Sequence, residues 1–266
     1  MKYIIKTFKK YIAFTLAETL LVMGIIGVVA ALTIPNVNNS TGNAEKVARV
    51  KTIYADLNEA HRRAVAKYGP VQTWFVEDDC YAGNSNTVSC RQRYFDRVTE
   101  FMKISKLCRA NNNGKCVNTI GTKALGIGAN FSYDASFPSA IMNNGISFSV
   151  YLYRPKFNST SVSGNNSGGY FLVDIDGPNK GKNTAGIDIF LFGITKTGIV
   201  PWTTTSSYWT NNSIKEWCFY RGTGCSGWVI NTGNMDYLDA SHTSSSDAGV
   251  CNKSSKQLST TVTSCR

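Results

Sequence analysis

The most informative segment of the chain is KKYIAFTLAETLLVMGIIGVVAALTIPNVNNS, from Lys9 to Ser40. From Phe14 to Pro35 it holds 22 residues that are almost all apolar, close to the roughly 20 that cross a bilayer as a helix. The first ten residues of the chain contain four lysines and no acid. A basic flank ahead of an apolar run orients a chain with its start in the cytoplasm, so the sequence predicts insertion into a membrane.

One interpretation of this segment is an ordinary secretory signal peptide, cut near Val29 to Ala31. The rest of the chain would then be released as a secreted, disulfide-rich binding protein. Glu18 argues against this alternative, because an acid inside a membrane helix costs a few kcal/mol and usually has a function. A milder possibility is that the Glu18 side chain reaches the membrane interface and is merely tolerated there.

The residues AFTLAETLLVMGIIGVVAALTIP resemble the N-terminus of a type IV prepilin or of a type II secretion pseudopilin. The match consists of a short basic leader, the small residue Ala13, and then Phe14, Thr15, Leu16 and Glu18 ahead of the apolar helix. Pro35 is the 22nd residue counted from Phe14. The family most often has glycine at the position of Ala13.

The resemblance implies a processing route and a set of partners. A prepilin peptidase would cut between Ala13 and Phe14 on the cytoplasmic side, and the new amine of Phe14 would be methylated. The chain would lie in the bacterial inner membrane as a single-pass prepilin and then join copies of itself and other pilin-like subunits in a periplasmic or cell-surface filament. There the Glu18 carboxylate would meet the Phe14 amine of a neighbour, because two buried charges are tolerable only as a pair.

A second helical pattern continues the first. Between Ala44 and Gly69 the steps between apolar or aromatic residues alternate between three and four, which marks one face of a helix. The face consists of Val47, Val50, Tyr54, Leu57, His61, Ala64 and Tyr68. We interpret His61 as a packed residue of this face rather than as a catalytic base. The predicted organisation is a leader at 1–13, a transmembrane and filament-core helix at 14–35, an amphipathic continuation at 36–69 and a globular domain at 70–266.

The globular part reads as a mixture of strands and one short helix. Segments rich in β-branched and aromatic residues, bounded by turn residues, predict strands within 143–153, 168–177 and 186–202, the last interrupted by a turn at 196–198. A short helix is predicted at about 92–107. The predicted fold is therefore α+β and pilin-like, with a long N-terminal helix packed against an antiparallel sheet and a disulfide-rich C-terminal region.

Eight cysteines follow the apolar segment, and their even number favours disulfides in an oxidising compartment. Pairs of sequence neighbours are predicted because short separations meet most readily; the alternative is that several are free buried thiols. The predicted pairs are Cys80 with Cys90, Cys108 with Cys116, Cys218 with Cys225, and Cys251 with Cys265.

One acidic segment, VDIDGPNKGKNTAGIDIF, could bind a metal. Asp174, Asp176 and Asp188 supply hard oxygen ligands near a glycine-rich turn, a combination that suits calcium, and the segment loosely resembles the calcium loop of major secretion pseudopilins. The alternative is that these acids cap turns and pair with Lys180 and Lys182. No other cofactor is predicted.

Catalytic and nucleic-acid-binding patterns are missing from the sequence. It contains no G-x-S-x-G, no H-E-x-x-H and no phosphate-binding loop, and its two histidines, His61 and His242, are far apart. The net charge of +11 is spread without a block of five or six basic residues, so specific nucleic-acid binding is not expected. We therefore predict that the chain is not an enzyme, and the resemblance to prepilins implies a structural subunit of a filament.

Overall fold

The computed structural model describes residues 15–75, 87–109, 116–117, 122–126, 130–131, 137–152, 168–178, 180–203 and 210–265. Within these ranges the side chains of residues 30–41, 87–88, 122 and 130–131 are outside the description. The chain divides into two compact units, Met1–Asn43 and Ala44–Arg266. Each unit is described by itself.

Four α-helices are present in the described residues: α1 (Leu16–Tyr68), α2 (Thr87–Thr99), α3 (Asn211–Ile214) and α4 (Cys225–Thr232). Short 3₁₀-helices cover Val71–Trp74 and Asp236–Asp239, and a π-helical turn covers Lys215–Tyr220. Gly69, with φ of +80°, follows the last residue of α1, and Pro70 comes next. A glycine in this left-handed conformation and a proline that cannot continue the helix end it together, as the sequence predicts.

The described strands are β1 (Ile104–Cys108), β2 (Thr122–Lys123), β3 (Asn130–Phe131), β4 (Ser139–Met142), β5 (Ser147–Leu152), β6 (Gly169–Asp174), β7 (Ile189–Ile194) and β8 (Ile199–Pro201). Six of them form one antiparallel sheet in the order β1-β4-β5-β6-β7-β8, and β2 pairs with β3 separately. The predicted strands correspond to β5 to β8.

The part of α1 within the second unit packs on one face of this sheet. Phe171 of β6 lies opposite Val150 of β5 and Phe192 of β7, and all three are fully buried. The Tyr54 ring of α1 stacks on the Phe192 ring with centroids 5.8 Å apart. Apart from His61, the predicted helix face belongs to the same hydrophobic cluster, together with Ile53 and Ala60, which complete it. The α+β class, with helices on an antiparallel sheet, is thereby confirmed.

The region after the first helix corrects the sequence analysis. The helix predicted at about 92–107 is α2, which begins at Thr87 and ends at Thr99, and residues 104–108 form strand β1 instead. Three consecutive side chains of β1, Ser105, Lys106 and Leu107, are exposed. Since a half-buried strand shows alternation and this one does not, its sequence carries no period-two pattern to separate it from a helix end.

Three disulfides lie in the second unit and join Cys108 to Cys116, Cys218 to Cys225, and Cys251 to Cys265. These are three of the four sequence-neighbour pairs that the spacing predicts. Cys90 is also disulfide-bonded, whereas Cys80 lies outside the described residues. No cysteine in the part of the chain that the structure describes is a free thiol.

Candidate functional site

The start of α1 holds the acid that the sequence analysis singles out. The Glu18 Oε2 atom accepts hydrogen bonds from the Thr15 backbone N–H and from the Thr15 hydroxyl, both at 2.9 Å. In return the Glu18 N–H donates to Thr15 Oγ1 at 3.3 Å. This reciprocal arrangement is a capping box, which satisfies N–H groups that the first helical turn leaves unpaired.

The capping box was missed in the sequence analysis although its signal was present. Thr-Leu-Ala-Glu, from Thr15 to Glu18, matches the S/T-x-x-E pattern directly ahead of an apolar run. The predicted processing residues, Ala13 and Phe14, lie outside the described residues, as does the side chain of Pro35. The structure therefore shows that Glu18 caps the start of α1, whereas Phe14, whose amine is its predicted partner, lies outside the described residues.

The apolar side chains that follow are exposed on every side of the helix. Leu21 is 66% exposed and Met23 is 73% exposed. Residues 20–23 are consecutive, and since each residue turns the helix by about 100°, together they sample its whole circumference. The exposed set is Leu16, Leu20, Leu21, Val22, Met23, Ile25, Ile26, Val28 and Val29. A surface of this kind is unusual for a monomer in water and marks a contact with an apolar environment.

Within the described residues no helix is both long enough and apolar enough to cross a membrane. The described side chains of this segment end at Val29, so the predicted span from Phe14 to Pro35 lies only partly among them.

The connection between β6 and β7 brings the three predicted aspartates into one turn. Asp188 accepts hydrogen bonds from the backbone N–H groups of Lys182, Asn183 and Thr184 at 2.6, 2.9 and 2.5 Å. Asp174 Oδ1 accepts from the N–H groups of Asp176 and Gly177 at 3.3 and 2.9 Å. Two of the three acids therefore cap the turn, as the alternative to a calcium site expects. Among the described residues no ion pair joins them to Lys180 or Lys182.

The aspartates also influence each other. Burial, a hydrogen bond with the Asp176 carboxyl group and the nearby negative charges raise the pKa of Asp174 well above 3.8. Asp174 Oδ2 and Asp176 Oδ1 are buried without another hydrogen-bond partner among the described residues. Within the described residues no group of three or more His, Cys, Asp or Glu side chains is arranged to bind a metal. The calcium site at Asp174, Asp176 and Asp188 stays a prediction.

His61 is fully packed, in agreement with its place on the helix face. Its Nδ1 atom lies 2.9 Å from the Tyr94 hydroxyl of α2, and its ring lies 6.2 Å from the Trp74 ring. Burial lowers the pKa of His61 to about 4, so the imidazole is neutral near pH 7. Among the described residues, no hydrogen-bond partner reaches its buried Nε2 atom. The contacts place His61 in the packing between α1 and α2.

Fold and site together define a class of protein: an α+β chain with helices on a six-stranded antiparallel sheet, disulfide cross-links and a capped N-terminal helix whose apolar side chains are exposed. No family model matches the chain, and neither a curated protein nor a solved structure matches it.

Proposed function

We propose that this protein is a structural subunit of a type IV pilus-like or type II secretion pseudopilus filament. It is inserted as a prepilin, cut by a prepilin peptidase after Ala13, methylated on Phe14 and polymerised through its N-terminal helix. The observation that carries the proposal is the helical segment from Leu16 to Val29, whose apolar side chains are exposed around its whole circumference. The resemblance of the same residues to prepilins supports it.

An exposed apolar helix must gain a covering, because about 25 cal/mol is lost for every Å² of apolar surface left in water. The described part of the chain does not cover Leu21, Met23 or Ile26, each of which is more than half exposed. A lipid bilayer covers such a helix before assembly, and the same helix of neighbouring subunits covers it in a filament. One segment therefore serves first as a membrane anchor and then as the filament core.

The charge of Glu18 favours one axial alignment of neighbouring helices. Within one chain the capping box gives Glu18 Oε2 two hydrogen bonds but adds no positive charge. In an apolar bundle an unpaired carboxylate is costly, so a cation must come from elsewhere. Cleavage after Ala13 would create such a cation at the Phe14 amine, close to the start of the helix. Pairing between subunits would then favour one axial register.

The first test is the N-terminus of the mature protein, measured by intact mass and N-terminal sequencing of membrane-bound material. We expect a chain that begins at N-methyl-Phe14. A chain that begins near Ala31 would instead identify a secreted protein released by ordinary signal peptidase, which is the alternative function.

A pair of substitutions at Ala13 makes this test specific for the peptidase. Ala13→Leu should block the cut because the larger side chain crowds the cleavage site, and the uncut prepilin should accumulate. Ala13→Gly is the matched control and should be cut at least as fast as the wild type. Equal processing of both variants would argue against a prepilin peptidase.

A further inference from the structure

A cavity of about 480 Å³ opens beside the turn that joins β6 to β7. This volume lies within the range of small-molecule sites, about 300–1,000 Å³. One apolar part of its wall consists of Leu125, Ile187 and Leu238. The remainder of the wall carries charged groups of both signs and one imidazole. The cavity lies in the second unit and includes none of the exposed apolar residues between Leu16 and Val29 on which the proposed filament role rests.

The walls of this cavity are held by main-chain hydrogen bonds. The Lys123 N–H donates to the Asn183 carbonyl and the Ala185 N–H donates to the Lys123 carbonyl, both at 2.8 Å. The Leu125 N–H donates to the Arg221 carbonyl at 3.2 Å. Three chain segments are thereby fixed to one another, so the cavity exists before any ligand arrives. A preformed site loses less entropy on binding than one that must be ordered.

The negative side of the cavity consists of Asp176 and Asp188. Both carboxylates approach Gly181, since a Cβ atom at this glycine would lie 2.2 Å from Asp176 Oδ2 and 2.5 Å from Asp188 Oδ2. His242 completes this side. Its Nδ1 atom lies 2.5 Å from the Phe219 carbonyl oxygen and must donate to it, which leaves Nε2 as an acceptor. Burial lowers the pKa of His242, which favours the neutral ring.

The positive side consists of Lys46 and Lys182. Among the described residues neither lysine forms an ion pair with Asp176 or Asp188. The cavity therefore presents two carboxylates and two ammonium groups that do not neutralise each other by direct contact. A ligand with both a positive and a negative group would satisfy both sides at once, and an apolar side chain on it would cover the apolar wall.

We propose that this cavity binds a small zwitterion with an apolar side chain, the chemistry of an apolar α-amino acid. Its ammonium group is received by Asp176, Asp188 and His242 Nε2, and its carboxylate by Lys46 and Lys182. Its side chain contacts Leu125, Ile187 and Leu238. The site does not depend on polymerisation, so filament assays and binding assays test separate properties of the protein.

The test is a titration of the full chain in detergent micelles with L-leucine, followed by ligand-observed saturation-transfer NMR. Isocaproate, which lacks the ammonium group, and isopentylamine, which lacks the carboxylate, are the matched probes. We expect each of them to bind at least about tenfold more weakly than leucine, because each leaves one side of the cavity unpaired.

Two variants locate the binding. Asp176→Asn and Lys46→Gln should each weaken leucine binding by about tenfold, whereas Lys106→Gln, at an exposed lysine of β1, should bind as the wild type does. A cooperative thermal unfolding transition shows that each variant is folded. Lack of leucine binding by the wild type, equal binding of all three probes, or unchanged binding in both cavity variants would overturn the proposal.

Discussion

The N-terminal part of α1 and the core of the second unit use the same kinds of side chain, and they differ in what covers them. Leu21 is 66% exposed and Ile26 is 60% exposed, whereas Leu57 and Ile53 are fully buried. In the second unit a narrow apolar stripe meets a sheet whose inner face is also apolar. In the N-terminal segment the apolar residues surround the helix, so one sheet face could not cover them all. The second unit therefore buries its apolar helix face within the chain, whereas the described part of the chain leaves the N-terminal apolar side chains uncovered.

The largest effect is expected at Glu18. Glu18→Gln should abolish filament assembly, because it removes the negative charge that would pair with the Phe14 amine of a neighbour. Removal of one partner of a buried ion pair costs about 3–5 kcal/mol, and the cost recurs with each subunit added. Glutamine can still accept the hydrogen bonds of Thr15, so the helix start stays capped. The measurement is the yield of sheared surface filaments against the membrane-bound monomer pool.

The matched control for this variant is Glu45→Gln. Glu45 lies on the same helix and forms an exposed i,i+4 pair with Arg49, which contributes little to stability. We expect normal filaments from this variant. Normal filament yield from Glu18→Gln as well would show that the acid serves only as a cap. Cleavage and methylation must be unchanged in both strains for the comparison to hold.

A second pair of variants compares the two regions directly. Phe171→Ala should lower the free energy of unfolding of the second unit by about 3–5 kcal/mol, since it empties a fully buried site between two strands. Leu21→Ala should leave that free energy unchanged within about 0.5 kcal/mol, because the exposed side chain loses no packing. Denaturant unfolding in detergent measures both. A large loss from Leu21→Ala would mean that the N-terminal segment is packed within the chain.

The stability of the second unit also depends on its C-terminal tail. Cys251 is buried in the main hydrophobic cluster, and its disulfide to Cys265 spans 14 positions of sequence. The double variant Cys251→Ser and Cys265→Ser should have a free energy of unfolding that is lower by about 3 kcal/mol, which is the stabilisation expected from closing a loop of about 15 residues. Limited proteolysis should then cut the tail first. An unchanged unfolding midpoint would show that other contacts, such as those of Asp236 with Ser264 and Cys265, hold the tail alone.

The sequence predicts the regions whose burial is periodic. The three-four spacing from Val47 to Tyr68 identifies a helix because one face alone is buried. Strands β5, β6 and β7 are predictable because they are rich in β-branched and aromatic residues between turn residues. The three observed disulfides join the nearest cysteines along the chain. In each case the signal is local.

The remaining parts depend on contacts between distant segments. Strand β4 is only four residues long, and β1 is largely exposed, so their pairing carries no periodic pattern. Helix α4 is rich in residues with modest helix propensity, yet Trp228 and Val229 in it are fully buried, and tertiary packing decides its conformation. The raised pKa of Asp174 likewise depends on its burial and on the turn that brings Asp176 and Asp188 close to it. Sequence proximity alone does not reveal it.

The buried acid in the second unit predicts a pH dependence. The pKa of Asp174 is raised in the folded state. Its contribution to the stability of the fold is therefore present below pH 3.8 and is lost as the pH rises through the raised pKa. Asp174→Asn, which cannot ionise, should flatten this loss of the unfolding midpoint between pH 3.8 and about pH 8. If added calcium instead raises the wild-type midpoint more at pH 8 than at pH 5, and does not do so in the variant, the carboxylates bind the cation that the sequence predicts.

The smallest expected effect concerns His61 and has the opposite sign of pH dependence. Its pKa is lowered to about 4 by burial, from 6.5, so the unfolded chain takes up a proton that the folded chain excludes. The stabilising contribution of His61 is therefore present above pH 6.5 and is lost as the pH falls towards about 4, with a loss of about 1–2 kcal/mol between pH 7 and about pH 5.

His61→Leu alone would leave the buried Tyr94 hydroxyl without its bond to Nδ1, so the informative variant is His61→Leu combined with Tyr94→Phe. This double variant should lose the acid slope and keep its midpoint near pH 7. Unfolding midpoints measured from pH 5 to pH 8 provide the test. An unchanged acid slope in the double variant would assign the slope to other groups of the second unit, and it would remove the packing between α1 and α2 as the origin of acid sensitivity.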